Sequence, residues 1–141
     1  MTTPLGPGEW LAASLRGARI LIIDDDKLQC GHLARIVEEW EAIAFTAQTL
    51  SDALRHYKEG NPDLVMCDVL MPHVDGYTFI RTLRAKPQQE GGQTPAVALT
   101  AYSRPEDARA AMAAGYQECL AKPAEPRRLA NVVAYLCAHP P

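Results

Sequence analysis

Short apolar runs, each free of polar residues, alternate along this chain with stretches whose apolar side chains recur at helical spacing. Ile20-Leu21-Ile22-Ile23 is the first run, and Leu64-Val65-Met66-Cys67 and Ala96-Val97-Ala98-Leu99 follow it. A run with no polar alternation has the character of a strand covered on both faces, as in a parallel sheet between layers of helix. Residues 42–47, around Ile43 and Phe45, and the brief Cys119-Leu120-Ala121 supply two further strands. Between the first two, Leu33, Ile36, Val37 and Trp40 stand at the spacing of an amphipathic helix. A second helix takes Ser51 as its cap, turns Ala53, Leu54 and Tyr57 inward and is closed by Gly60-Asn61-Pro62. A third covers residues 75–85 with Phe79, Ile80 and Leu83 inward, and residues 87–95 form a polar loop. Ser103 and Glu106 have the spacing of a capping box for an alanine-rich helix to Ala114. Leu129, Val132, Val133 and Leu136 line the last helix.

Five strands alternating with five helices predict an α/β fold, a five-stranded parallel sheet flanked by helices on both faces. Right-handed crossovers leave few topologies, and the order 2-1-3-4-5 is one of them, although periodicity alone does not select it. The chain of 141 residues suits one domain. Residues 1–17, with Pro4, Gly6, Pro7 and Gly8, are expected to be an N-terminal extension, and residues 18–141 the domain. Within the extension, residues 9–15 predict a short helical turn whose Trp10, Leu11 and Leu15 cover the domain's own surface.

Net charge is −3 and no long basic run occurs, so no nucleic-acid partner is expected. No apolar segment approaches the roughly 20 residues that cross a bilayer, and no basic-then-apolar leader opens the chain. Cys30, Cys67, Cys119 and Cys137 form no C-x-x-C pair and have no companion His cluster. A reduced chain, cytoplasmic and away from membranes, is the expectation.

The chemistry is written at the strand ends. The first strand ends in Asp24-Asp25-Asp26, the third in Asp68, the fourth in Thr100 and the fifth in Lys122-Pro123. In a parallel sheet these ends share one edge, so the residues converge on one shallow cleft. Carboxylates so gathered repel one another and call for a proton or a cation. Their hard oxygens suit Mg2+. Asp68 has the chemistry of a nucleophile toward phosphorus, Lys122 brings a positive charge, and the Thr100 hydroxyl can donate to a phosphoryl oxygen.

Ile22-Ile23-Asp24-Asp25, the segment from Asp68-Val69-Leu70-Met71-Pro72 to Asp75-Gly76, Leu99-Thr100-Ala101 and Ala121-Lys122-Pro123 resemble, in that order, the signature of response-regulator receiver domains. The similarity covers about residues 19–136. It implies the flavodoxin-like order 2-1-3-4-5 and a role in two-component signalling. Asp68 would be the phosphoacceptor, phosphorylated by a histidine kinase or histidine phosphotransfer protein. Asp25 would hold Mg2+ directly and Asp24 through water, with Asp68 and the backbone carbonyl of Leu70 completing the protein ligands. Thr100 would be the switch hydroxyl and Lys122 the counter-charge. The acid triplet also admits Asp25 and Asp26 as the working pair. We take Asp24 and Asp25, because the family's acids follow the strand directly and Asp26 is then free to cap the first helix. Such a domain is a signalling phosphoacceptor that catalyses only its own phosphorylation and dephosphorylation. A downstream protein would read it at the fourth helix and fifth strand, and output by protein contact or phosphoryl relay, without an attached output domain, is the expectation.

Three features depart from the pattern, one of them Ala124, which follows Lys122-Pro123 where the family often has an aromatic residue. Cys119 stands three residues before Lys122, where the family often has an aromatic switch; either none is used, or Tyr102 or Tyr116 substitutes. Leu70 and Tyr102 flank the phosphoryl site where polar side chains are usual, which predicts slow hydrolysis. Three rivals remain: a pseudo-receiver that binds partners unphosphorylated, a haloacid-dehalogenase-type phosphatase and a flavodoxin-like FMN binder. The second wants Asp-x-Asp-x-Thr or Val, absent from Asp24-Asp25-Asp26-Lys27-Leu28, and the third a Ser/Thr/Gly-rich phosphate loop.

Overall fold

The computed structural model of the chain describes residues 14–69, 76–101 and 104–139. Strands β1 (Arg19–Ile23), β2 (Ile43–Ala47), β3 (Leu64–Asp68), β4 (Ala96–Thr100) and β5 (Glu118–Ala121) form one parallel sheet in the order β2-β1-β3-β4-β5. Helices α1 (Lys27–Glu39), α2 (Leu50–Gly60), α3 (Gly76–Arg84), α4 (Pro105–Ala114) and α5 (Pro126–Ala138) alternate with them.

The apolar runs alternate between two cores. Ile20, Ile22, Met66, Val97 and Leu99 pack under α1 and α5, against Leu33, Val37, Leu129 and Val133. Leu21, Ile23, Val65, Cys67, Ala96 and Ala98 face α2, α3 and α4, against Tyr57, Phe79, Ile80 and Ala111. A buried strand therefore has no polar position until it ends. Register then aligns the ends, pairing Ile23 with Cys67, Asp68 with Leu99 and Thr100 with Ala121. The edge strand β2 is looser, with Ile43 43% exposed and Ala47 its one buried residue. α4 is also weakly held: Ala111 is its only buried residue.

Leu15 is fully buried in the α1–α5 core, as expected for a segment that covers the domain's own surface. Trp10 and Leu11 lie outside the described residues. Several boundaries differ from the sequence expectation. Thr49, not Ser51, caps α2, its hydroxyl accepting from the Asp52 amide at 3.1 Å, so the helix begins one residue before Ser51. Asn61, not Gly60, takes the left-handed conformation at its end, since Asn tolerates φ of 47° through local hydrogen bonding. The residue at the N-cap position of α4 is Arg104, without a side-chain cap, followed by Pro105, whose ring presets the first helical turn. Ser103, of the expected capping box, lies outside the described residues, as does Asp75, the expected start of α3.

At the amino ends of the strands, Arg84 ties three segments together. Its guanidinium donates to the carbonyls of Gly115 at 2.9 Å, Gly92 at 3.1 Å and Thr94 at 2.6 Å, and to Gln117 Oε1 at 2.8 Å. Gln117 Oε1 also accepts from the Ala96 amide at 2.7 Å, fixing the start of β4. Arg84→Ala should lower unfolding free energy by about 3 kcal/mol, because several half-buried acceptors lose a charged donor together. Urea titration checks this against exposed Arg81→Ala, for which a change under about 0.5 kcal/mol is expected.

Candidate functional site

Asp24 immediately follows β1, and its backbone amide is held by the Ala47 carbonyl of β2 at 3.1 Å. Its side chain is all but buried and has two distinct partners. Oδ1 accepts from the Asp26 amide at 3.0 Å, and Oδ2 accepts from Lys122 Nζ at 2.7 Å. Asp26 closes the turn as the N-cap of α1, its carboxylate accepting from the Leu28 amide at 2.9 Å, the role expected of it. Asp25, between them, is partly exposed and faces the cleft.

Asp68 ends β3, its side chain 12% exposed, and Oδ2 accepts from Lys122 Nζ at 2.5 Å. Lys122 reaches it from the end of β5, where its amide donates to the Thr100 carbonyl at 2.7 Å and a cis peptide leads into Pro123. One ammonium thus bridges carboxylates that are 44 residues apart in sequence. Burial lowers the Lys122 pKa, but the hydrogen bonds and charges of Asp24 and Asp68 outweigh it and hold it above the ordinary 10.5.

Asp24, Asp25, Asp26, Gln29, Asp68, Lys122 and Pro123 line an open cleft of about 380 Å³. Of the residues expected from sequence, the fold brings together Asp24, Asp25, Asp68 and Lys122. Thr100 stands at the end of β4, 2% exposed, beside the cleft rather than in its lining. Leu70 lies outside the described residues. Gln29 was not expected; its place one helical turn after Asp25 was the available signal. Behind the cleft, the Cys30 thiol donates to the Asp24 carbonyl at 3.3 Å, and burial pushes its pKa to about 11, so it stays a thiol.

The chain matches the response regulator receiver domain family over residues 20–134. It belongs to that family. It is 38% identical over 123 residues to an uncharacterised 14.6 kDa protein of Leptolyngbya boryana, covering 86% of this chain and 92% of that one. It is 32% identical over 120 residues to the transcriptional regulatory protein ZraR of Salmonella typhimurium, covering 85% of this chain but only 26% of the relative. Its fold superposes with a TM-score of 0.75 on the signal receiver domain of a signal transduction histidine kinase from Syntrophus aciditrophicus. That pair is 32% identical, over 86% of this chain and 91% of the other. Receiver domains are signalling modules rather than classical enzymes. Among the described residues, no helix is long and apolar enough to cross a membrane.

The Lys122 bridge has a pH signature. A raised folded pKa contributes stability that is complete below 10.5 and is lost as pH climbs through the higher folded value. Lys122→Met should cost about 2 kcal/mol near neutral pH, since it leaves buried Asp24 without its cation. Denaturant titrations at rising alkaline pH should show the gap between wild type and variant narrowing, and a constant gap would contradict the bridge.

Proposed function

We propose that this receiver domain accepts a phosphoryl group on Asp68 in a reaction that depends on Mg2+, and signals the change by protein contacts. The observation that carries this reading is the convergence of Asp24, Asp25 and Asp68 with one Lys122 ammonium in an open cleft. The residues fit the ion by donor chemistry. Among the described residues, the lining offers carboxylate oxygens and no thiol or imidazole, the hard set that Mg2+ takes. Its acidic side chains outnumber its one cation. Among the described residues no three such side chains already form a closed metal cluster, and the Lys122 ammonium sits between Asp24 and Asp68. Asp25, Asp68 and the Leu70 carbonyl would hold the ion directly and Asp24 through water. The ion would supply charge neutralisation at the phosphoryl oxygens.

The chain's own residues supply the rest. An Asp68 carboxylate oxygen attacks phosphorus, forming the acyl phosphate as the bond from phosphorus to the donor's histidine nitrogen breaks. Lys122, already within hydrogen-bond reach of Asp68, balances the added charge. Thr100, at the end of β4, would be the switch hydroxyl that responds to a phosphoryl oxygen, with the α4–β5 face as the surface a partner reads. The donor would be a histidine kinase or histidine phosphotransfer protein. Residues 18–141 form the phosphorylated unit and 1–17 its extension.

Acetyl phosphate with magnesium should add one phosphoryl group, read by intact mass, and Asp68→Asn or omission of the metal should abolish it. Absence of an adduct, together with no magnesium-dependent beryllofluoride binding, would instead mark a receiver that acts by binding alone. Leu70 and Tyr102 should keep the adduct long-lived by hindering the attacking water. Leu70→Asn combined with Tyr102→Glu should raise the decay rate by about tenfold, roughly the yield of one well-placed polar contact at a transition state. An unchanged half-life would remove that role.

A further inference from the structure

Tyr116 is a buried phenol that the phosphorylation chemistry does not use. Gly115, at φ 131°, turns the chain out of α4, and Tyr116 drops between the sheet and α3, 2% exposed, in the core that holds Cys67, Phe79 and Ile80. Its hydroxyl donates at 2.7 Å to the carbonyl of Gly76, the first residue of α3, across 40 residues of sequence. Burial, with Cys67 beside the ring, pushes the phenol pKa far up, so the hydroxyl remains a donor.

Gly76 in turn is pressed against the end of β3. A Cβ there would lie 2.8 Å from Val69 Cα, 3.0 Å from the Asp68 carbonyl oxygen and 3.2 Å from Cys67 Sγ. Only a hydrogen fits, so the backbone of α3 rests directly on the backbone of Asp68 and Val69. The chain of contact is thus short: Tyr116 hydroxyl, Gly76 carbonyl, Asp68 main chain.

We propose that Tyr116 is a positioning residue for Asp68, its phenol holding the start of α3 against the end of β3 and so fixing where the acceptor carboxylate stands. A role in packing alone would need the ring but not the hydroxyl, since burying a phenol costs free energy that Phe would not incur. The directed hydrogen bond is the feature to be explained. The proposal rests on Asp68 being the phosphoacceptor.

Tyr57 provides the control. It too is a buried phenol, bonded to the Gly91 carbonyl and to Thr94 Oγ1, but it lies at the amino end of the sheet, away from Asp68. Acetyl phosphate titrations with saturating magnesium, followed by intact mass, should be run on wild type, Tyr116→Phe, Tyr57→Phe and Gly76→Ala, each well below its own melting temperature. Tyr116→Phe should lower the maximal rate about tenfold while leaving the half-saturating acetyl phosphate concentration unchanged, in the range that a slight misplacement of a reacting group costs. Tyr57→Phe should stay within about twofold of wild type, the difference expected of a site far from the chemistry. Gly76→Ala, which breaks the contact from its other side, should fall with Tyr116→Phe.

Equal losses in both tyrosine variants, or a wild-type rate in Tyr116→Phe, would overturn the positioning role while leaving the Asp68 reading intact. If wild type takes no phosphoryl group, the Asp68 reading fails and this proposal fails with it. Should Tyr116→Phe not melt cooperatively, Gly76→Ala decides alone: a wild-type rate there overturns the proposal.

Discussion

A parallel sheet covered by helices on both faces leaves its strands nowhere to place a polar side chain except at their ends. Ile20 to Ile23 and Leu64 to Cys67 are buried without interruption, and the first acids appear directly after the apolar runs, at Asp24 and Asp68. The register that pairs β1 with β3 and β4 with β5 sets those ends side by side. The cleft is therefore a consequence of the packing that stabilises the domain. Its polar groups stand on rigid strand ends, which is what precise placement of reacting atoms requires.

Within the cleft, charge decides the arrangement. Asp24 is almost inaccessible to water, a costly position for a carboxylate unless it is bonded, and both of its oxygens are. The Asp26 amide and Lys122 together satisfy it, and the same ammonium also serves Asp68. Lys122 thus joins the two carboxylates through one ammonium, at the end of β1 and the end of β3.

Much of this was legible in the residues. Apolar runs located the strands, and the acids, Thr100 and Lys122 at their ends located the cleft, because burial on both faces leaves a plain signature. Strand order was not legible from periodicity, since β1 pairs with both β2 and β3 and nothing in the pattern distinguishes neighbours; the motifs supplied it. Helix ends were legible only in part. Asp26 is recognisable as a cap, but Thr49 and Ser51 both carry a hydroxyl able to close the first turn of α2, and the residues alone do not choose between them. Partners across 40 residues, such as Tyr116 and Gly76, leave no local trace at all.

The five helices are not held equally. α5 buries Leu129, Val133 and Leu136 among others, whereas α4 buries Ala111 alone and rests Ala114 partly on the core. Each methyl withdrawn from a core costs about 0.8 kcal/mol, so two alanines hold α4 far less firmly than the Leu and Val side chains hold α5. α4 is accordingly the helix whose amides should exchange earliest with solvent deuterium, and the part of the surface whose shape the domain can alter without loosening its sheet.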